Sequence, residues 1–156
     1  MPAETARIEA LLDGLGDPSL SLEAKEEIEK RILAEGKPAI PVLIAHRADG
    51  RIYEKGRDVT NRIGLAVDSP PPPAVYQDIT VGSECAMLLD RMVTPAYRSP
   101  LEPQAPVKPR GPFFEVPDWE GWWQRNKAKP LATIHEEMKA VIDRYWAAGG
   151  KTQVVR

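Results

Sequence analysis

Proline decides where helices can stand in this chain. The run Pro70 to Pro73 and the series Pro100, Pro103, Pro106, Pro109 and Pro112 fall where a helix interior would lose hydrogen bonds and clash with the ring. There are 16 prolines among 156 residues, about twice the usual share. Residues 49–78 and 94–117 therefore read as long proline-rich connections. Regular helix is confined to the segments outside them.

Those segments carry helical signals. Ile8, Leu11, Leu12 and Leu15 recur at helical spacing over 5–15. Ser21 is placed to cap a second helix over 21–35, with Ile28, Ile32 and Leu33 as its buried stripe and Gly36 as its stop. Along its outer face, Glu26 pairs by position with Lys30 and Glu27 with Arg31. A third helix over 38–48 opens on Pro38 and Pro41, and the short gap predicts an antiparallel hairpin. The pattern of Cys85, Leu88, Leu89 and Met92 predicts a fourth over 81–93. Asp118 is the expected N-cap of a segment carrying Trp119, Trp122 and Trp123. Pro130 opens the last helix, Thr133 and Glu136 have capping-box spacing, and Gly149–Gly150 stops it. Residues 150–156 are expected to fray.

The segment Ile32-Leu33-Ala34-Glu35-Gly36-Lys37-Pro38-Ala39-Ile40-Pro41-Val42-Leu43-Ile44 resembles the turn of a HEAT-like or armadillo-type helical repeat. Residues 79–85, with Trp122–Trp123, also resemble helical-repeat-like proteins of bacteria. Only one convincing helix pair is present, with no second copy at a fixed period. The expectation is a single all-α domain over 1–156, a compact bundle of five to six helices with HEAT-like hairpin packing. The resemblance implies interaction or scaffolding rather than chemistry.

Composition narrows the partners. The 21 basic and 23 acidic side chains leave a formal charge of −2, so no strong global field draws the chain to nucleic acid or an anionic membrane. No stretch has the apolar length of a membrane span, and no signal peptide opens the sequence. With the single Cys85, a cytoplasmic location is the expectation.

Chemistry-bearing motifs are scarce. Cys85 sits on the apolar face of its helix, where a buried inert thiol is favoured over a nucleophile paired with His46 or His135. His135-Glu136-Glu137 lacks the second histidine of a zinc-protease helix, and no paired cysteines suggest zinc. Gly56, Gly64 and Gly82 stand alone, so no phosphate loop is read. No cofactor, metal or catalytic residue is assigned.

Three features remain as candidates for holding a protein partner. The prolines spaced by three fit a polyproline II rod of roughly 37 Å. Within it, Pro103 and Pro106 begin a P-x-x-P-x-basic pattern, read either as a ligand or as a structural strap. Trp122 and Trp123 are core anchors or, if one is exposed, a binding hot spot. Followed by Arg125, Lys127 and Lys129, they also admit a basic aromatic strip for single-stranded nucleic acid, the less favoured reading. Arg51, Arg57 and Arg62 make the 47–62 loop a solvated surface or a docking loop for an acidic partner. The expected function is a non-enzymatic interaction or scaffold module. The alternative is an enzyme or small-ligand binder with a pocket between helices under the strap.

Overall fold

Local sequence chemistry places the helix starts. In the computed structural model, which describes residues 2–62, 64–96 and 112–156, the first helix is α1 (Ala3–Leu15), followed by α2 (Leu22–Glu35) and α3 (Ala39–Ala45). Ser21 caps α2 by accepting from the Ala24 amide at 3.1 Å, and Gly36 ends it with φ of 70°, a left-handed turn that glycine adopts without steric cost. Beyond α3 come α4 (Val81–Val93), α5 (Trp119–Asn126) and α6 (Leu131–Ala147). Thr80 caps α4 through the Ser83 amide, and Asp118 caps α5 through the Gly121 amide.

The all-α expectation is overturned. Strand β1 (Ile52–Asp58) pairs antiparallel with β2 (Tyr76–Thr80), and β3 (Phe114–Glu115) pairs parallel with β4 (Gln153–Val154), so the fold is mixed α/β. β1 reads as loop because Ile-Tyr-Glu-Lys-Gly-Arg-Asp has no apolar alternation. A two-stranded ribbon needs little: within β1, only Tyr53 is buried. The C-terminal segment is likewise not frayed. Gly149 and Gly150, with φ of 71° and 90°, turn the chain back. Gln153 then donates to the Phe113 carbonyl at 3.0 Å and Val155 to that of Glu115 at 2.8 Å.

Smaller corrections follow from the same packing. Helix α6 starts at Leu131, with the Thr133 and Ile134 amides both donating to the Pro130 carbonyl, so Thr133 lies inside the helix and caps nothing. α3 stops at Ala45, where the His46 ring is drawn to Glu9 at 2.7 Å and Asp49 at 3.1 Å. On α2, Lys30 bonds Glu27 at 2.7 Å rather than Glu26.

One cluster of buried side chains runs through the helices, including Ile8 and Leu12 of α1, Ile32 of α2, Leu43 of α3, Leu88 of α4 and Ile134 of α6. α4 reaches this core because its first turn sits against the 47–49 turn. The Gly82 amide donates to the Asp49 carbonyl at 2.9 Å, and a Cβ on Gly82 would meet the Arg47 carbonyl oxygen and come within 2.9 Å of Asp49 backbone atoms. Inside a helix, glycine-to-alanine normally adds roughly 1 kcal/mol. Gly82→Ala should reverse that sign and cost about 2 kcal/mol through backbone collision. A urea midpoint at or above that of the unaltered protein would contradict this packing.

Candidate functional site

The ribbon β1–β2 is rooted where α4 begins. Val81 donates to the Arg51 carbonyl at 2.8 Å, locking the base of β1 to the helix start. Pairing then runs Ile52 to Thr80, Glu54 to Ile79, Arg57 to Gln77 and Asp58 to Tyr76, with irregularities on both sides of Glu54. Gly56 takes φ of 67° there and donates to Asp78 Oδ1 at 2.9 Å. Past the strands the two chains still meet, as Val59 donates to the Val75 carbonyl at 2.9 Å.

Beneath the ribbon lies a buried charged foot. Lys25 of α2 is 4% exposed; its Nζ donates to the Tyr53 carbonyl at 2.7 Å and lies 5.4 Å from the centre of the Tyr53 ring. One helical turn on, Glu29 is 7% exposed, and Glu84 of α4 is 5% exposed. Among the described residues, Glu29 Oε1 is sealed from solvent without a hydrogen-bond partner. Burial, then the adjoining Glu29 carboxylate, pushes the Glu84 carboxyl up to about 7, despite the opposing pull of Arg57 at 3.9 Å. A proton on Glu84 lets it donate to the Glu29 carboxylate beside the Tyr53 hydroxyl. Burial likewise pushes the Tyr53 hydroxyl up, with Glu29 adding to the shift.

These buried charges were not foreseen, yet a signal existed. Lys25, Glu29 and Ile32 share one stripe of α2, as Val81, Glu84 and Leu88 do on α4. Charged residues at stripe positions are the trace of a buried polar contact.

Arg51, Arg57 and Arg62 are each held by acids of the chain itself. Arg51 grips Asp49 through Nε at 3.1 Å and Nη2 at 2.8 Å, and reaches Asp13 at 2.9 Å. The Arg51 guanidinium thereby holds the Asp49 carboxyl well below the usual carboxylate range. Arg57 pairs with Glu54 and approaches Glu84. Arg62 bonds Asp58 at 3.0 Å, and the Thr60 hydroxyl and amide with Arg62 bring the Asp58 carboxyl down to about 2. Trp122 is 3% exposed against the edge of Trp119, with ring centres 5.2 Å apart, while Trp123 is half-buried against the core. Pro103 and Pro106 lie outside the described residues.

Apolar exposure gathers on the ribbon and its connection. Ile52, Val59, Leu65, Val67, Val75 and Tyr76 are all exposed, with Tyr76 at 67%. Beside β1, a groove of about 690 Å³ runs between the strand and the α1–α2 turn, lined by Leu20, Leu22 and Ile52 among others. The reactive side chains sit apart from it. His46 clamps Glu9 and Asp49, His135 bonds the Met92 carbonyl at 2.8 Å, and buried Cys85 has its thiol pushed up to about 12 by desolvation. Among the described residues, no group of three or more His, Cys, Asp or Glu side chains is placed to hold a metal ion, and no helix is long and apolar enough to cross a membrane.

No known family model, characterised protein or solved structure matches this chain.

The carboxyl pair gives the foot a defined pH response. Folded Glu84 keeps its proton to about pH 7, whereas an ordinary glutamate releases it near 4.3. Its contribution to stability is therefore complete below the unfolded value and is lost as pH rises through 7. Glu84→Gln, which keeps a donor for Glu29, should flatten the fall in Tm between pH 5 and 8. At pH 8 it should stabilise the protein by about 1–2 kcal/mol, allowing for solvent screening. Parallel Tm–pH curves for the two proteins would show that the pair does not share a proton.

Proposed function

We propose that this protein is a non-enzymatic interaction module that holds a partner protein against the β1–β2 ribbon. The exposed apolar side chains of the ribbon and its connection carry the reading. Large side chains left in water on a projecting ribbon mark contact surfaces more often than scattered exposure does. A two-stranded sheet also has an outer edge on each strand, able to accept an extended segment of a partner.

Charge tells what kind of partner fits. Arg51, Arg57 and Arg62 are already engaged by Asp13, Asp49, Glu54, Glu84 and Asp58, and an acidic partner would have to compete with those acids. The partner is instead an extended segment with apolar side chains, set over Val75 and Tyr76, with the paired arginines at its rim. The likeness of residues 32–44 to HEAT-like turns, found in proteins that hold partners, supports the same reading by analogy.

Val75→Asp together with Tyr76→Asp tests it, because both positions are exposed and the fold should change by no more than about 0.5 kcal/mol. Affinity purification from the source cells, quantified by mass spectrometry, should show the principal partner reduced about tenfold or more. Pro103→Ala with Pro106→Ala should leave its recovery unchanged. If the ribbon variant keeps its Tm and recovers the same partner in the same amount, the reading is wrong.

A further inference from the structure

A second surface bears an excess of positive charge. The cleft between α5, α6 and the segment of β4, about 440 Å³ in volume, is lined by Arg125, Lys129, Arg144 and Arg156 against the single acid Glu137. In a chain whose formal charge is −2, four cationic side chains against Glu137 and the main-chain carboxylate of Arg156 make a local excess of positive charge. Among the described residues, Arg125, Arg144 and Arg156 form no ion pair.

Lys129 is fixed in advance. Its Nζ donates to Asn126 Oδ1 at 2.9 Å and to the two oxygens of Glu137 at 2.9 and 3.0 Å. Asn126 is 6% exposed and cannot turn freely, since its Nδ2 donates to the Trp122 carbonyl at 2.7 Å. The buried amide therefore presents its oxygen to the ammonium and holds that charge at the cleft wall. Like charges that outnumber their acids repel, and an anion that neutralises several at once relieves this. Guanidinium forks suit phosphate oxygens in paired hydrogen bonds.

Size and surface select among phosphate ligands. The volume is that of a small-molecule site. Trp122, which lines the cleft, is buried and offers no open ring face for the base stacking that single-stranded nucleic acid uses. We propose that this cleft binds a small polyphosphate-bearing ligand, gripped by Arg125, Arg144 and Arg156 beside the fixed ammonium of Lys129.

Isothermal titration of the full chain with inorganic tripolyphosphate at low ionic strength tests this directly. Saturable one-to-one binding is expected, at least about tenfold tighter than for orthophosphate and weakened by added salt. Arg125→Ala and Arg144→Ala, both at exposed positions, should each weaken it about tenfold without lowering Tm. Lys139→Ala, exposed on α6 outside the cleft, should leave it unchanged. Absence of saturable binding at millimolar tripolyphosphate would overturn the proposal, as would equal weakening by Lys139→Ala. A short single-stranded oligonucleotide that binds more tightly than tripolyphosphate and loses affinity with the same two arginines would also overturn it, assigning the cleft to nucleic acid.

Discussion

A lysine ammonium held inside the protein organises the face on which the ribbon stands. Lys25 cannot lie at 4% exposure unless its charge is met, and it is met by the Tyr53 carbonyl and the face of the Tyr53 ring. That requirement ties α2 to β1, and Glu84 beside Glu29 brings α4 to the same place. It also explains the polar character of β1. The strand is held by one buried tyrosine and a buried cation rather than by a hydrophobic face.

The ion pairs around this foot alter what the surface can recognise. Free arginines would make the 47–62 region a steering surface for acidic partners. Bound to Asp49, Asp13, Glu54 and Asp58, they instead hold the base and tip of the ribbon in shape. Outward there stand Ile52, Val59, Val75 and Tyr76, beside exposed polar side chains such as Lys55, Gln77 and Asp78. On the proposed reading, recognition rests on hydrophobic contact rather than charge, which is less sensitive to salt.

The cationic cleft uses the same chemistry with the opposite result. There, a buried asparagine and one glutamate fix a lysine, while three arginines form no ion pair among the described residues. The two surfaces share no lining residue and differ in kind, one marked by exposed apolar side chains, the other by an excess of cations. A protein can thus hold a chain on one and a small anion on the other without competition for the same side chains.

Helix positions were legible from the chain because their causes are local. Ser21, Thr80 and Asp118 cap where their side chains reach an amide three residues on, Gly36 turns where only glycine does so freely, and the apolar stripe of α4 needs no partner to be seen. The scarcity of familiar catalytic motifs was equally plain. What only the tertiary structure decided depends on residues far apart in sequence. β1 finds β2 across the proline-rich connection, and residues 153–154 find 114–115. Glu29 meets Glu84 between two helices, Arg51 reaches Asp13, and Arg57 approaches Glu84. A charged strand and a charged loop have the same composition. Their difference is the partner strand, and that lies outside any local window.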